Sequence, residues 1–148
     1  MSQLRLRLFG APELSLAQSP VSFDTRKAVA LLAYLAVTGR PHRRERLATL
    51  LGPESDPSRA RASLRRTLSV ATGVGPALLI HRSEVELDPG QVWCDVTQFE
   101  ALASADAAAS LRQAAALAAG DFLAGVSLRD SAEFDDWSTA TGDRLRER

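Results

Sequence analysis

The chain opens on an alternation. Leu4, Leu6 and Leu8 fall on one side of a period-two repeat and Arg5 and Arg7 on the other, until Gly10-Ala11-Pro12 ends it. This is the pattern of a half-buried strand. Leu14-Ser15-Leu16 and Val21-Ser22-Phe23 repeat it around Gln18-Ser19-Pro20, so a small antiparallel sheet is predicted at the N-terminus. The period then lengthens. Ala28, Leu31, Leu32, Leu35 and Ala36 recur at helical spacing, with Asp24 placed to cap the N-terminus and Gly39 the C-terminus, which predicts a helix over 25–38. A shorter helix carries Leu47, Leu50 and Leu51 and stops at Gly52-Pro53. A third, over 57–72, starts behind Asp56 with Pro57 at its first position, and its apolar stripe is Ala60, Leu64, Leu68 and Ala71. Leu78-Leu79-Ile80 and Val85-Glu86-Leu87 flank the polar run His81–Glu84 and read as a hairpin.

Beyond Trp93-Cys94-Asp95 the pattern changes again. Between Ala101 and Ala119 there are 11 alanines, too many for a sheet and suited to close-packed helices. Helices are predicted near 96–103, 107–119 and 131–148. The chain therefore divides into two modules, 1–92 and 93–148.

Charge sharpens that division. The 148 residues carry no net charge, yet residues 1–83 hold 13 basic and 5 acidic side chains, whereas residues 84–148 hold 5 and 13. A basic half beside an acidic half implies different partners, and the basic half suits a polyanion. Of the 18 basic residues 17 are arginine, the better side chain for bidentate phosphate and guanine contacts. Cys94 is the single cysteine, so no intrachain disulfide can form, and with His42 and His81 it makes too few ligands for a zinc cage. No apolar run approaches the ~20 residues of a membrane span, and the charged alternation of the N-terminus does not fit a signal peptide. A soluble, cytoplasmic protein is expected.

Strands, three helices and a closing hairpin, in that order, describe a winged helix, and Gly52–Asp56 has the length of a helix-turn-helix connection. On the third helix, Arg59 and Arg66 point away from the apolar stripe with Ala62 and Ser69 between them, while Arg61 and Arg65 lie on the flank nearer the core. Outward residues would reach base edges in a major groove and flanking arginines would hold phosphates. Arg40, Arg43, Arg44 and Arg46 cluster just before, and from Arg40 to Arg66 eight basic residues face three acidic ones. Arg82 at the hairpin tip adds a charge where a wing meets the DNA backbone. The candidate DNA-binding residues are thus Arg43, Arg44, Arg59, Arg61, Arg65, Arg66, Ser69 and Arg82; a merely solvated helix face is the plain alternative for the same arginines.

Other combinations carry less. Glu133, Asp135 and Asp136 could hold Mg²⁺, but acidic residues in a first helical turn are explained by the helix dipole. Gly73-Val74-Gly75-Pro76 lacks the Gly-Lys-Ser/Thr of a phosphate loop. Cys94 reads as a small buried hydrophobe, His42 and His81 as polar surface residues, and Phe134 and Trp137 as core, or else as an exposed docking face. No catalytic constellation and no cofactor site is legible, so an enzyme is not expected.

Several longer motifs resemble one bacterial family. Leu6-Arg7-Leu8-Phe9-Gly10, Phe23-Asp24-Thr25-Arg26-Lys27-Ala28, His42-Arg43-Arg44-Glu45-Arg46-Leu47-Ala48, Glu54-Ser55-Asp56-Pro57 and the run Arg59–Ser69 resemble the antibiotic regulatory proteins (SARP). Val92-Trp93-Cys94-Asp95-Val96, Gly120-Asp121-Phe122-Leu123-Ala124-Gly125 and Asp130–Trp137 are similar to their bacterial transcriptional activator domain (BTAD). The resemblance implies an α+β architecture: a response-regulator-type winged helix followed by an all-α, tetratricopeptide-like module that in the family runs beyond the end of this chain. It also implies a DNA-binding activator that assembles on direct repeats of double-stranded DNA and recruits RNA polymerase. The chain departs from the family after Ser69, where Val70-Ala71-Thr72-Gly73 replaces an Arg-Leu-Arg continuation, so Val70 stands where an arginine is expected. That departure favours, as the alternative, an interaction scaffold whose winged helix has lost DNA binding.

Overall fold

The computed structural model describes residues 3–23, 25–52, 56–105, 107–128 and 132–147. Strands β1 (Leu4–Arg7), β2 (Glu13–Leu16) and β3 (Ser19–Val21) form an antiparallel meander in which Leu6 faces Leu14 and Leu4 faces Leu16. The alternation read from the sequence decides the faces: Leu4, Leu6 and Leu8 are fully buried, and Arg5 and Arg7 stay outside. Ala17 and Gln18 take positive φ values to close the β2–β3 turn.

Three helices follow. Helix α1 (Arg26–Thr38) is capped by Thr25, whose hydroxyl accepts the Ala28 N–H at 3.3 Å. The cap was expected at Asp24, which lies outside the described residues. At the other end Gly39 takes the left-handed conformation that ends many helices. Strand β4 (His42–Arg43) leads into α2 (Arg44–Leu51), and α3 (Pro57–Ala71) starts as read, with the Asp56 carboxylate accepting from Ser58 and Arg59 N–H groups at 3.0 and 3.2 Å. Pro53, Glu54 and Ser55 of the α2–α3 connection lie outside the described residues.

Gly52 allows the two helices to meet. A Cβ there would stand 2.6 Å from the Ala48 carbonyl oxygen and 2.7 Å from Ala60. Backbone and a buried side chain cannot yield that space cheaply, so Gly52→Ala is expected to destabilise the fold by about 1–3 kcal/mol. A thermal melt of the variant that matches wild type would refute this close approach.

A turn of 3₁₀ helix over Thr72–Ala77 connects α3 to β5 (Leu78–Ile80), which pairs with β6 (Glu84–Leu87) as the expected hairpin. Strand β4 adds a third strand to it, with His42 opposite Val85 and Arg43 opposite Glu84, in the order β4-β6-β5. Strand β7 (Val92–Cys94) then lies parallel to β1 and completes the N-terminal sheet in the order β3-β2-β1-β7. The boundary expected between residues 92 and 93 falls inside this strand. Helices α4 (Asp95–Ser104), α5 (Ala108–Leu117) and α6 (Ala132–Arg146) follow; Ser131 and Arg148, expected within the last helix, lie outside the described residues. The fold is α+β, a winged helix followed by a helical module, and one core joins the two, from Leu6 and Leu32 through Leu64 to Phe99 and Phe134. Among the described residues no helix is long and apolar enough to cross a membrane.

Candidate nucleic-acid interface

Helix α3 buries Ala60, Leu64, Leu68 and Ala71 as the stripe requires, and also Ser63 and Thr67. Both polar residues are satisfied: the Thr67 hydroxyl donates to the Ser63 carbonyl at 2.9 Å, and Lys27 Nζ donates to Ser63 Oγ at 3.1 Å. Their burial turns the helix about its axis relative to the sequence expectation. At about 100° per residue, the crest now runs along Ala62 and Ser69, with Arg65 and Arg66 roughly 50° to either side. Arg65 is exposed and lies on the side of that crest that faces α2. Arg59, 80% exposed, stands 3.6 Å from its own cap residue Asp56. Val70 presents an apolar surface beside this face, 37% exposed.

The remaining candidates gather around α3. Arg44, Arg61 and Arg65, together with Glu45 and Leu64, line a cavity of about 200 Å³ between α2 and α3. Arg66 and Ser69 lie outside it. The Arg44 N–H donates to the Ser83 carbonyl at 2.9 Å, and the His81 N–H to the Glu84 carbonyl at 2.8 Å, so the hairpin tip is fastened to the start of α2. This brings exposed Arg82 and Arg43 next to Arg44. Among the described residues none of Arg43, Arg44, Arg61, Arg65, Arg66 and Arg82 forms an ion pair within the protein. A contiguous set of unneutralised guanidinium groups, spread over a helix, its neighbour and a hairpin, can meet a polyanion along its length.

Two residues behave otherwise than expected. Arg46, grouped in the sequence with Arg43 and Arg44, is turned towards α6 and pairs with Glu133. His42 is no surface residue. It is 5% exposed, its ring 4.7 Å from that of Tyr34, which in turn packs 4.8 Å from Trp137 of α6. The Thr38 hydroxyl donates to the Tyr34 carbonyl at 2.7 Å, so the His42 Nε2–H donates to that hydroxyl, also at 2.7 Å. Burial, and then the charges of Arg40 and Arg46, hold the His42 pKa below its ordinary 6.5.

A histidine kept neutral by the fold stabilises it fully above the unfolded-state pKa, and that contribution declines as the pH falls below 6.5 towards the lowered value. The melting temperature is expected to drop when the pH passes from about one unit above 6.5 to about one unit below it, and His42→Gln should flatten that drop. An identical pH profile in the variant would remove His42 as its cause.

Two of the three acidic residues considered for a cation, Glu133 and Asp135, have protein partners. Glu133 holds Arg46, and Asp135 accepts from the Ser127 hydroxyl at 2.7 Å and from the Leu128 N–H at 3.0 Å. Phe134 is fully buried, Trp137 packs against the core, and Cys94 is buried, where desolvation raises its thiol pKa. Sequence reasoning missed Asp95. Its buried carboxylate accepts the Leu8 N–H at 2.8 Å and the Phe9 N–H at 3.1 Å, tying the start of α4 to the end of β1. Burial pushes its pKa up, against the pull of those N–H groups and of Arg7.

No family model and no curated protein matches the sequence. Among solved structures the chain is similar to EmbR of Mycobacterium tuberculosis in complex with a low-affinity phosphopeptide, at 26% identity and a TM-score of 0.75. The likeness supports a fold of the antibiotic regulatory protein type. It covers 99% of this chain but 43% of EmbR, so the chain spans less than half the length of that relative.

Proposed function

We propose that the protein is a DNA-binding transcriptional regulator, an activator by its family resemblance. Helix α3 enters the major groove, the β5–β6 hairpin touches the adjacent backbone, and the tetratricopeptide-like helical module makes protein contacts, with RNA polymerase and with a second copy on direct repeats. The mechanism is non-enzymatic and needs no cofactor. The observation that carries this reading is the run of arginines from Arg82 through Arg44 to Arg66, without ion pairs among the described residues, on a helix-turn-helix with a wing. The fold likeness to EmbR and the sequence motifs support it. The phosphopeptide named with EmbR is not carried over, because more than half of that protein has no counterpart in this match.

Selection of bound duplexes from a random pool, followed by titration at several salt concentrations, tests the proposal. Enrichment of a repeated motif with a steep loss of affinity at higher salt is the expected result. The exposed Val70, in place of a cation, favours the rival reading of a protein-interaction scaffold, and failure of the wild-type protein to bind any duplex at low salt would establish it.

Arg82 supplies a narrower test. Arg82→Ala is expected to weaken binding to all duplexes by a similar factor, because a phosphate contact carries no base information. A changed preference at a single base pair would instead make Arg82 a minor-groove reader.

A further inference from the structure

We propose that the outer face of the N-terminal sheet is a docking groove for an acidic, extended segment of a partner protein. Pro20, Ser15, Arg5 and Trp93 are register neighbours across all four strands, on the face opposite buried Leu4 and Leu6. The Arg5 guanidinium carbon lies 4.4 Å from the centroid of the Trp93 ring, so the indole covers one face of the cation and holds it in place. Two open cavities, of about 500 and 660 Å³, both take in Arg5, Arg7 and Glu13 and merge into one trough. It runs from Pro20 and Val21 on β3 to Leu117 and Gly120 beyond the Trp93 side.

Chemistry selects the occupant. Arg5 and Arg7 form no ion pair among the described residues, and the Asp95 carboxylate on the same side accepts two backbone N–H groups. A stacked guanidinium keeps its N–H edge free for a carboxylate, and its immobilisation is complete before anything binds. Beside the cations, Phe9 and Pro12 offer apolar surface for intervening side chains. Two cations beside Glu13 are too few for the many phosphate contacts that hold a duplex, and an open trough does not enclose a small molecule. A polypeptide alternating acidic and apolar residues fits both features. No residue of α2, α3 or the hairpin lines the trough, so occupancy is compatible with a filled DNA face.

The test uses the full chain and a dye-labelled peptide of alternating glutamate and leucine, followed by anisotropy with and without excess duplex. Wild type should bind this peptide and not its glutamine counterpart, with or without duplex. Arg5→Gln with Arg7→Gln should raise Kd about tenfold or more, Trp93→Leu should raise it by a smaller factor, and Arg65→Ala with Arg66→Ala should leave it unchanged. Should the double variant fail to fold, Glu13→Gln serves, because removing the acid from the rim should tighten binding. The proposal is overturned by absent binding in wild type, by equal binding of the neutral peptide, by displacement with duplex, or by losses confined to the α3 variants. Self-association of wild type abolished by Arg5→Gln and Arg7→Gln would assign the trough to a second copy and overturn it equally.

Discussion

Asp95→Ala is expected to lower the unfolding free energy by about 2–4 kcal/mol, since an orphaned backbone N–H costs about 1–3 kcal/mol. The carboxylate receives two of them, from buried Leu8 and from half-buried Phe9. Its ionised form is itself disfavoured by burial, which raises its pKa, so removing it relieves a desolvation cost. The two N–H groups left without acceptors outweigh that relief. Asp95→Asn separates the contributions: the amide oxygen can still accept one N–H, but the NH₂ group meets the other as a second donor. About half the loss of the alanine variant is expected. Urea unfolding measures both, and an alanine variant within experimental error of wild type would show that the tie between β1 and α4 contributes no stability.

On the proposed DNA face the largest effect is expected at Arg66. It lies outside the α2–α3 cavity and near the crest marked by Ser69, so its guanidinium is free to reach guanine N7 and O6. Arg66→Ala should cost roughly 1–3 kcal/mol on the preferred duplex and relax selectivity at one base pair. Arg65, exposed but turned towards Arg44 and Arg61 in the cavity, is placed for a phosphate. Arg65→Ala should weaken preferred and random duplexes alike and reduce the salt slope by about one. Identical, sequence-independent losses for both variants would mean that α3 supplies charge without reading bases. An exchange of the two outcomes would place the groove on the other side of the Ala62–Ser69 crest.

Much of this was legible because local pattern and tertiary burial agree. The β1 alternation, the Asp56-Pro57 start of α3 and the hairpin around His81–Glu84 each carry a signal within a few residues. What escaped was set by partners distant in sequence. Val92-Trp93-Cys94 has no alternation of its own and becomes a strand only beside β1. His42-Arg43 is too short to announce β4, and its burial against Tyr34 depends on Trp137 of α6. Ser63 and Thr67 read as polar, yet backbone and Lys27 partners let them enter the buried face and turn α3. Arg46 is indistinguishable from its neighbours by type or spacing; only the position of Glu133 singles it out.

The parallel pairing of β1 with β7 also orders events during synthesis. Leu8 and Asp95 are separated by 87 positions, so β1 is completed by residues made after all of α1–α3 and the hairpin. Contacts of such long range close slowly, because the intervening chain must be ordered first. Until Val92–Asp95 emerge, one edge of β1 stays open in front of a row of leucines, the arrangement most prone to pairing with other chains. A nascent chain paused before that point leaves that edge uncovered, and the strand made last is the one that protects it.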